Sequence, residues 1–258
     1  MLGGVWLIPM WYFVYSKDTN TLMIDDDNSR KPEKDLPWFH RPLTGLFTFV
    51  ACLLYMVALL FLSASILQIL KGFEVIILPF YSYFVFGTVL KLHEVLGILL
   101  VLFGLLAASL TELATSEIVL LTSTGIILSC LAGFSDAAHI VCNEWAIKRH
   151  NIHPVKQVMA IMLYTLLFTT IALLIFSLIP CEETSPICIN GHLEDPILAV
   201  REIFNNSTLL CTTLFLFIGM LVECIFGTMA LKLDSGVSNI TITQVKALLI
   251  WIFFLFYQ

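Results

Sequence analysis

The sequence predicts an all-α, polytopic bundle of about eight membrane-spanning helices, and three observations lead there. Of 258 residues, 59% are hydrophobic and only 12% charged, where a soluble chain is about one quarter charged. The mean hydropathy is +0.95, so the chain carries more apolar surface than one core could hide. The apolar residues come in long unalternating blocks, and the basic residues recur on every second connection between them. In hydrocarbon each backbone N–H and C=O must be satisfied within its own segment, which leaves helices or a closed barrel; blocks of this length without alternation exclude the barrel.

In chain order the blocks run over residues 2–15, 43–62, 63–90, 95–110, 118–146, 155–179, 209–231 and 238–257. The first is read as a span and not as a signal peptide, because it lacks a basic start and ends in aromatic residues and Pro9. Connection 16–40, rich in Asp, Lys and Pro, belongs in water. The second and third blocks form one continuous apolar run, which needs a tight turn near Ser63 to Ser65 to become two spans. Gly97 with Gly104 and Gly219 with Gly227 mark helix faces on which backbones are expected to approach closely. The long connection 180–208 carries Cys181 and Cys188, which could form a disulfide in an oxidising compartment or remain two thiols. Asn205 and Asn206 read as glycosylation sequons too close to the next span to be used.

Orientation follows from the basic residues. With alternating helices, Lys17, Arg30, Lys31, Lys34, Arg41, Lys91, Lys148, Arg149, Lys156 and Lys232 share one face, and Arg201 lies on the other. That basic face is cytosolic. Connection 180–208 and both termini are then lumenal or external.

Ionisable residues within spans cost at least about 2.5 to 3.5 kcal/mol each at the bilayer centre, so each needs a partner or water. Gln68, Lys71 and Glu74 follow at three-residue steps on one helix face. Thr243 and Lys246 repeat that spacing in the last span, and aligning the two lysines also matches Ser63 with Ser238. Each lysine lies about 12 Å along its helix from that serine. The two helices run in opposite directions, which places both ammonium groups near the midplane, where an inverted repeat puts its solute site. Such a pair fits an anionic substrate group; the alternative for Lys71 alone is neutralisation by Glu74. A second stripe holds Asp136, His139 and Asn143 with Glu144 beside it. It reads either as a cavity wall or proton-coupling pair, or as an Asp136–His139 bond with Asn143 and Glu144 in the interface. Glu223 is a lone acid, for which Lys246 or Lys71 is the expected partner.

Several classes are excluded or disfavoured. No basic tract suggests nucleic acid, no Cys or His spacing matches a zinc site, and nothing in the sequence implies a cofactor. The spans hold neither HExxH nor GxSxG, and Asp136 has no second helical aspartate to share a proton, so no enzyme is expected.

The stretch from Leu62 through Ser63, Gln68 and Lys71 to Gly72 resembles part of the nucleotide-sugar-transporter-like carriers of the drug/metabolite transporter superfamily. Lys91 to Gly97 with Gly104 is similar to another helix of that superfamily. Asn143 to Pro154 and Lys246 to Trp251 are similar to solute carrier family 35, F subgroup. The resemblance runs from about Leu46 to Trp251, and the order and spacing of the motifs make it specific. It implies an EamA-like carrier with two inverted halves, here 1–112 and 113–258 with four helices each, around a central cavity used for alternating access. Relative to that pattern one helix is missing from each half, and lysine stands at 71 and 246 where arginine is expected, so a nucleotide-sugar substrate does not simply carry over. The expected function is secondary transport of a small anionic metabolite; the alternative is a non-transporting scaffold or partner subunit derived from such a carrier. The expected partners are a small-molecule substrate and the lipid bilayer, with a homodimer left open. The expected location is an endomembrane or the plasma membrane.

Overall fold

The computed structural model describes residues 36–87, 92–115, 119–180, 195–233 and 236–237. Its helices are α1 (His40–Ala58), α2 (Ala64–Leu70), a 3-10 turn (Lys71–Phe73) leading into α3 (Glu74–Phe86), α4 (Leu92–Thr115), α5 (Val119–His150), α6 (Pro154–Leu178), α7 (Pro196–Asn205) and α8 (Ser207–Leu233). Among the described residues α1, the joined α2–α3, α5, α6 and α8 are each long and apolar enough to cross a bilayer, and α4 contains a shorter apolar stretch, Val95–Thr111. An all-α polytopic membrane bundle is therefore what this sequence builds. The expected spans over 2–15 and 238–257, together with Lys91, Lys246, Cys181 and Cys188, lie outside the described residues.

The helix ends follow from local chemistry. After α1 the chain turns over residues 59–62, with Phe61 and Leu62 N–H both donating to the Ala58 carbonyl at 3.0 Å. Ser63 then takes an extended backbone, and its hydroxyl accepts from Ile66 N–H at 3.4 Å, which caps α2 where the apolar run had to be split. Gly87 closes α3 in the left-handed conformation (φ 67°) that glycine adopts without strain. Between α5 and α6, Asn151 is left-handed (φ 54°) and Pro154 begins the next helix, where its missing N–H costs nothing. Asn206, one of the two sequon asparagines, uses its side-chain oxygen to accept from Thr208 and Leu209 N–H at 3.1 and 3.3 Å and so starts α8.

Packing fixes the helix directions, and α5 is the hub. It runs antiparallel to α1: His40 stacks on Trp145 at one end (ring centroids 5.0 Å apart), and Gly125 meets Phe61 and Leu62 at the other. It runs parallel to α3, with Phe73 against Phe134 at 5.4 Å and a core of Leu78, Ala137 and Val141 further on. The α1 and α6 helices are parallel, since Gly45 meets Tyr164 and Phe49 meets Phe168. For α1, α3, α5 and α6 these directions are the ones that alternating spans require. They gather Arg41, at the start of α1, with Lys148 and Arg149, at the end of α5, and Lys156, at the start of α6, on one end of the bundle.

Three of the four glycines, Gly97, Gly104 and Gly219, do not pack as expected. A Cβ on Gly97, Gly104 or Gly219 would meet nothing within 4 Å. Close approach occurs instead at Gly45, where a Cβ would lie 2.6 Å from Tyr164 Cβ, and at Gly125, where it would lie 2.7 Å from Leu62 Cγ. Spacing identifies a small-residue face, but the larger neighbouring side chains decide which faces meet.

Candidate functional site

The span made by α2 and α3 changes hydrogen-bond pattern at Lys71–Phe73. In a 3-10 turn residues three apart are eclipsed, so this tightening helps to align Gln68, Lys71 and Glu74 on one side. Lys71 projects its ammonium group over the ring of Tyr55 on α1, 4.7 Å from the centroid, a cation–π contact. Among the described residues it forms no salt bridge within 4.0 Å. Gln68, the preceding member of the row, is half-buried.

Glu74 does not neutralise Lys71 by direct contact. It is buried and accepts a 2.7 Å hydrogen bond from the Tyr55 hydroxyl. Its carboxyl also lies within hydrogen-bonding reach of the Asp136 carboxyl on α5. Asp136 in turn faces His139 Nδ1 at 3.6 Å. Two carboxyls can hydrogen-bond only when one of them carries a proton, so α1, α3 and α5 meet at a Tyr–Glu–Asp–His chain with a lysine over its first ring. Asp136 and His139 keep 28% and 20% of their side chains accessible although Asp136 sits among α1, α3 and α8. They are therefore not fully sealed in packing.

The lower half of the α5 stripe is a separate cluster. Asn143 is buried, and Glu144 binds Lys148 Nζ at 2.8 Å and the Gly236 N–H at 3.0 Å, tying the end of α5 to the segment after α8. Nearby, Trp145 stacks on His40 and meets the tilted ring of His150. On α8, Glu223 is exposed, and it is the adjacent Cys224 that turns toward Cys52 and Asp136. The structure thus joins Lys71, Asp136 and His139 and has Gln68 one step before Lys71 in the same row; Asn143 lies in the lower cluster, and Glu223 is the exposed neighbour of Cys224.

Sequence reasoning missed Tyr55 and gave Glu74 only the role of a neutraliser. The available signal was that a buried tyrosine hydroxyl needs a partner. Gln157 on α6 was also missed: it is fully buried, and neither amide atom has a partner among the described residues.

Comparison with known proteins adds similarities over part of the chain. The model of the EamA-like transporter family matches residues 5–110. Solute carrier family 35 member F6 from Homo sapiens and the same-named protein from Pongo abelii are each 27% identical to this chain over 216 residues, covering 76% of it and 53% of the relative. The chain is thus similar to transporters of this kind over part of its length. It spans about half the length of the curated relatives it matches. No solved structure matches it. Polar groups at an interrupted membrane helix are a general mark of a candidate solute site, because irregular backbone within a bilayer is tolerated where it lines a protein interior or a wet cavity.

Proposed function

We propose that the chain is a secondary carrier for a small metabolite with an anionic group, working by alternating access about a site centred on Lys71. The observation that carries this reading is the Lys71 ammonium, located within a span, held over the Tyr55 ring, with no salt-bridge partner among the described residues. An intramembrane cation of this kind marks a functional site, and its hydrogen-bond donors are available to a carboxylate or phosphate oxygen. Gln68 supplies neighbouring polarity. The equivalent spacing of Lys246 makes that residue the second cation of the pair, contributed by the half 113–258 to a site shared with the half 1–112. Similarity to proteins named as solute carriers and to an EamA-like transporter family supports the same reading.

The test is counterflow into liposomes holding the purified full chain, with UDP-glucose, uridine monophosphate and glutamate as probes. Uptake of at least one probe that is lost in Lys71→Met and in Lys246→Met supports the carrier. Normal assembly with no counterflow of any probe favours the non-transporting scaffold.

A further inference from the structure

We infer that Glu74 and Asp136 together hold one exchangeable proton, and that this proton and the anion bound at Lys71 travel in the same direction. The inference deepens the carrier reading and rests on it for the transport step. The groups facing the pair among the described residues are Cys52 and Tyr55 from α1, Lys71 from the 3-10 turn, His139 from α5, and Cys224 beside Glu223 from α8, with Cys130 of α5 near Tyr55. The Tyr55 hydroxyl donates to one side of Glu74, so the contact between the carboxyls is left to a proton of their own.

The structure also supplies a route. His139 Nδ1 is buried, has no hydrogen-bond partner among the described residues, and lies 3.6 Å from Asp136 Oδ1. Release breaks the O–H bond of the pair, forms an N–H bond at His139 Nδ1, and leaves two carboxylates and an imidazolium. The imidazolium then loses its other ring proton to water at the exposed part of its side chain.

Charge decides the direction of coupling. With the shared proton in place the pair carries one negative charge, and Lys71 is free to attract an anion. With the proton gone the two carboxylates compete for Lys71, and the anion is released. Proton and anion thus favour each other's binding, and the linkage is reciprocal, which is cotransport rather than exchange.

The proton site is read without any solute by infrared difference spectroscopy of the full chain in lipid, titrated from mildly acidic to alkaline pH. The expected result is the carbonyl stretch of one protonated carboxyl, lost as pH rises and absent in both Glu74→Gln and Asp136→Asn. The amides replace the shared O–H with an N–H of similar shape, so both variants are expected to keep the parent's thermal melting. In Lys71→Met the band should persist to higher pH, because a cation that favours the ionised pair has been removed. A parent spectrum without the band, a band that survives Glu74→Gln, or an unmoved midpoint in Lys71→Met overturns the proposal. The two readings fail separately. Counterflow without the band leaves the carrier and removes its proton, whereas the band without counterflow keeps the proton site and removes the carrier.

Discussion

Tyr55 donates its phenolic hydrogen to Glu74 across the α1–α3 contact at 2.7 Å, while the same ring faces the Lys71 ammonium. One side chain therefore serves an acid with its edge and a base with its face. The two roles are separable because they use different atoms.

Tyr55→Phe keeps the ring under Lys71 and removes only the donor. A buried group that loses a partner costs about 1 to 3 kcal/mol, so a lower melting temperature in detergent is expected. Combined with Glu74→Ala the losses should not add, since both substitutions break one bond. Strict additivity in the melting data would disprove the contact.

Gly45→Ala should destabilise the bundle by about 1 to 3 kcal/mol as an overpacking substitution, because the new methyl meets Tyr164 Cβ at 2.6 Å and the Ile161 carbonyl at 3.3 Å. Gly104→Ala meets nothing within 4 Å and should be neutral or slightly stabilising. Side-by-side thermal melts check the contrast; equal losses would show that the close approach lies elsewhere.

Glu144→Ala should cost more than Lys148→Ala. The glutamate is buried and also holds the Gly236 N–H, while the lysine side chain is 37% exposed. An exposed partner contributes about 1 kcal/mol or less, and removing a charged acceptor from a buried N–H costs about 1.5 to 3 kcal/mol. Detergent melts of the two variants give the ranking directly.

Cysteines introduced at Arg149, Lys156 and Ile197, in a chain otherwise freed of cysteine, test the topology. The helix directions put the first two on the basic end and Ile197, at the start of α7, on the opposite one. A membrane-impermeant maleimide applied to sealed, oriented vesicles should label positions 149 and 156 together and position 197 only from the other side. Labelling of all three from one side would break the alternation.

Much of this was legible in the sequence, for identifiable reasons. The reversal before Ser63 could be read because a nearly fifty-residue apolar run is too long for one span, and a serine is a good cap. The Lys71–Glu74 row and the Asp136–His139 pair were visible because helical periodicity places residues three apart on one face. The meeting of those two rows was not visible. It depends on α3 running parallel to α5 with Phe73 beside Phe134, a register that local spacing does not encode. Tyr55 was hidden for a related reason: among 20 phenylalanines and 7 tyrosines, nothing local distinguishes the one whose hydroxyl finds an acid. The glycine faces failed in the same way, since Gly45 and Gly104 differ only in what lies opposite them.

The length of α5 has a mechanical consequence. Its 32 residues make a rod of about 48 Å, while the hydrocarbon slab is about 30 Å thick. Fitting it inside by inclination alone would need roughly 50°, beyond the usual range of up to 40°. The rod must therefore stand proud of the lipid, and its final turn, with Lys148, Arg149 and His150, forms a positively charged post in the water beside the membrane.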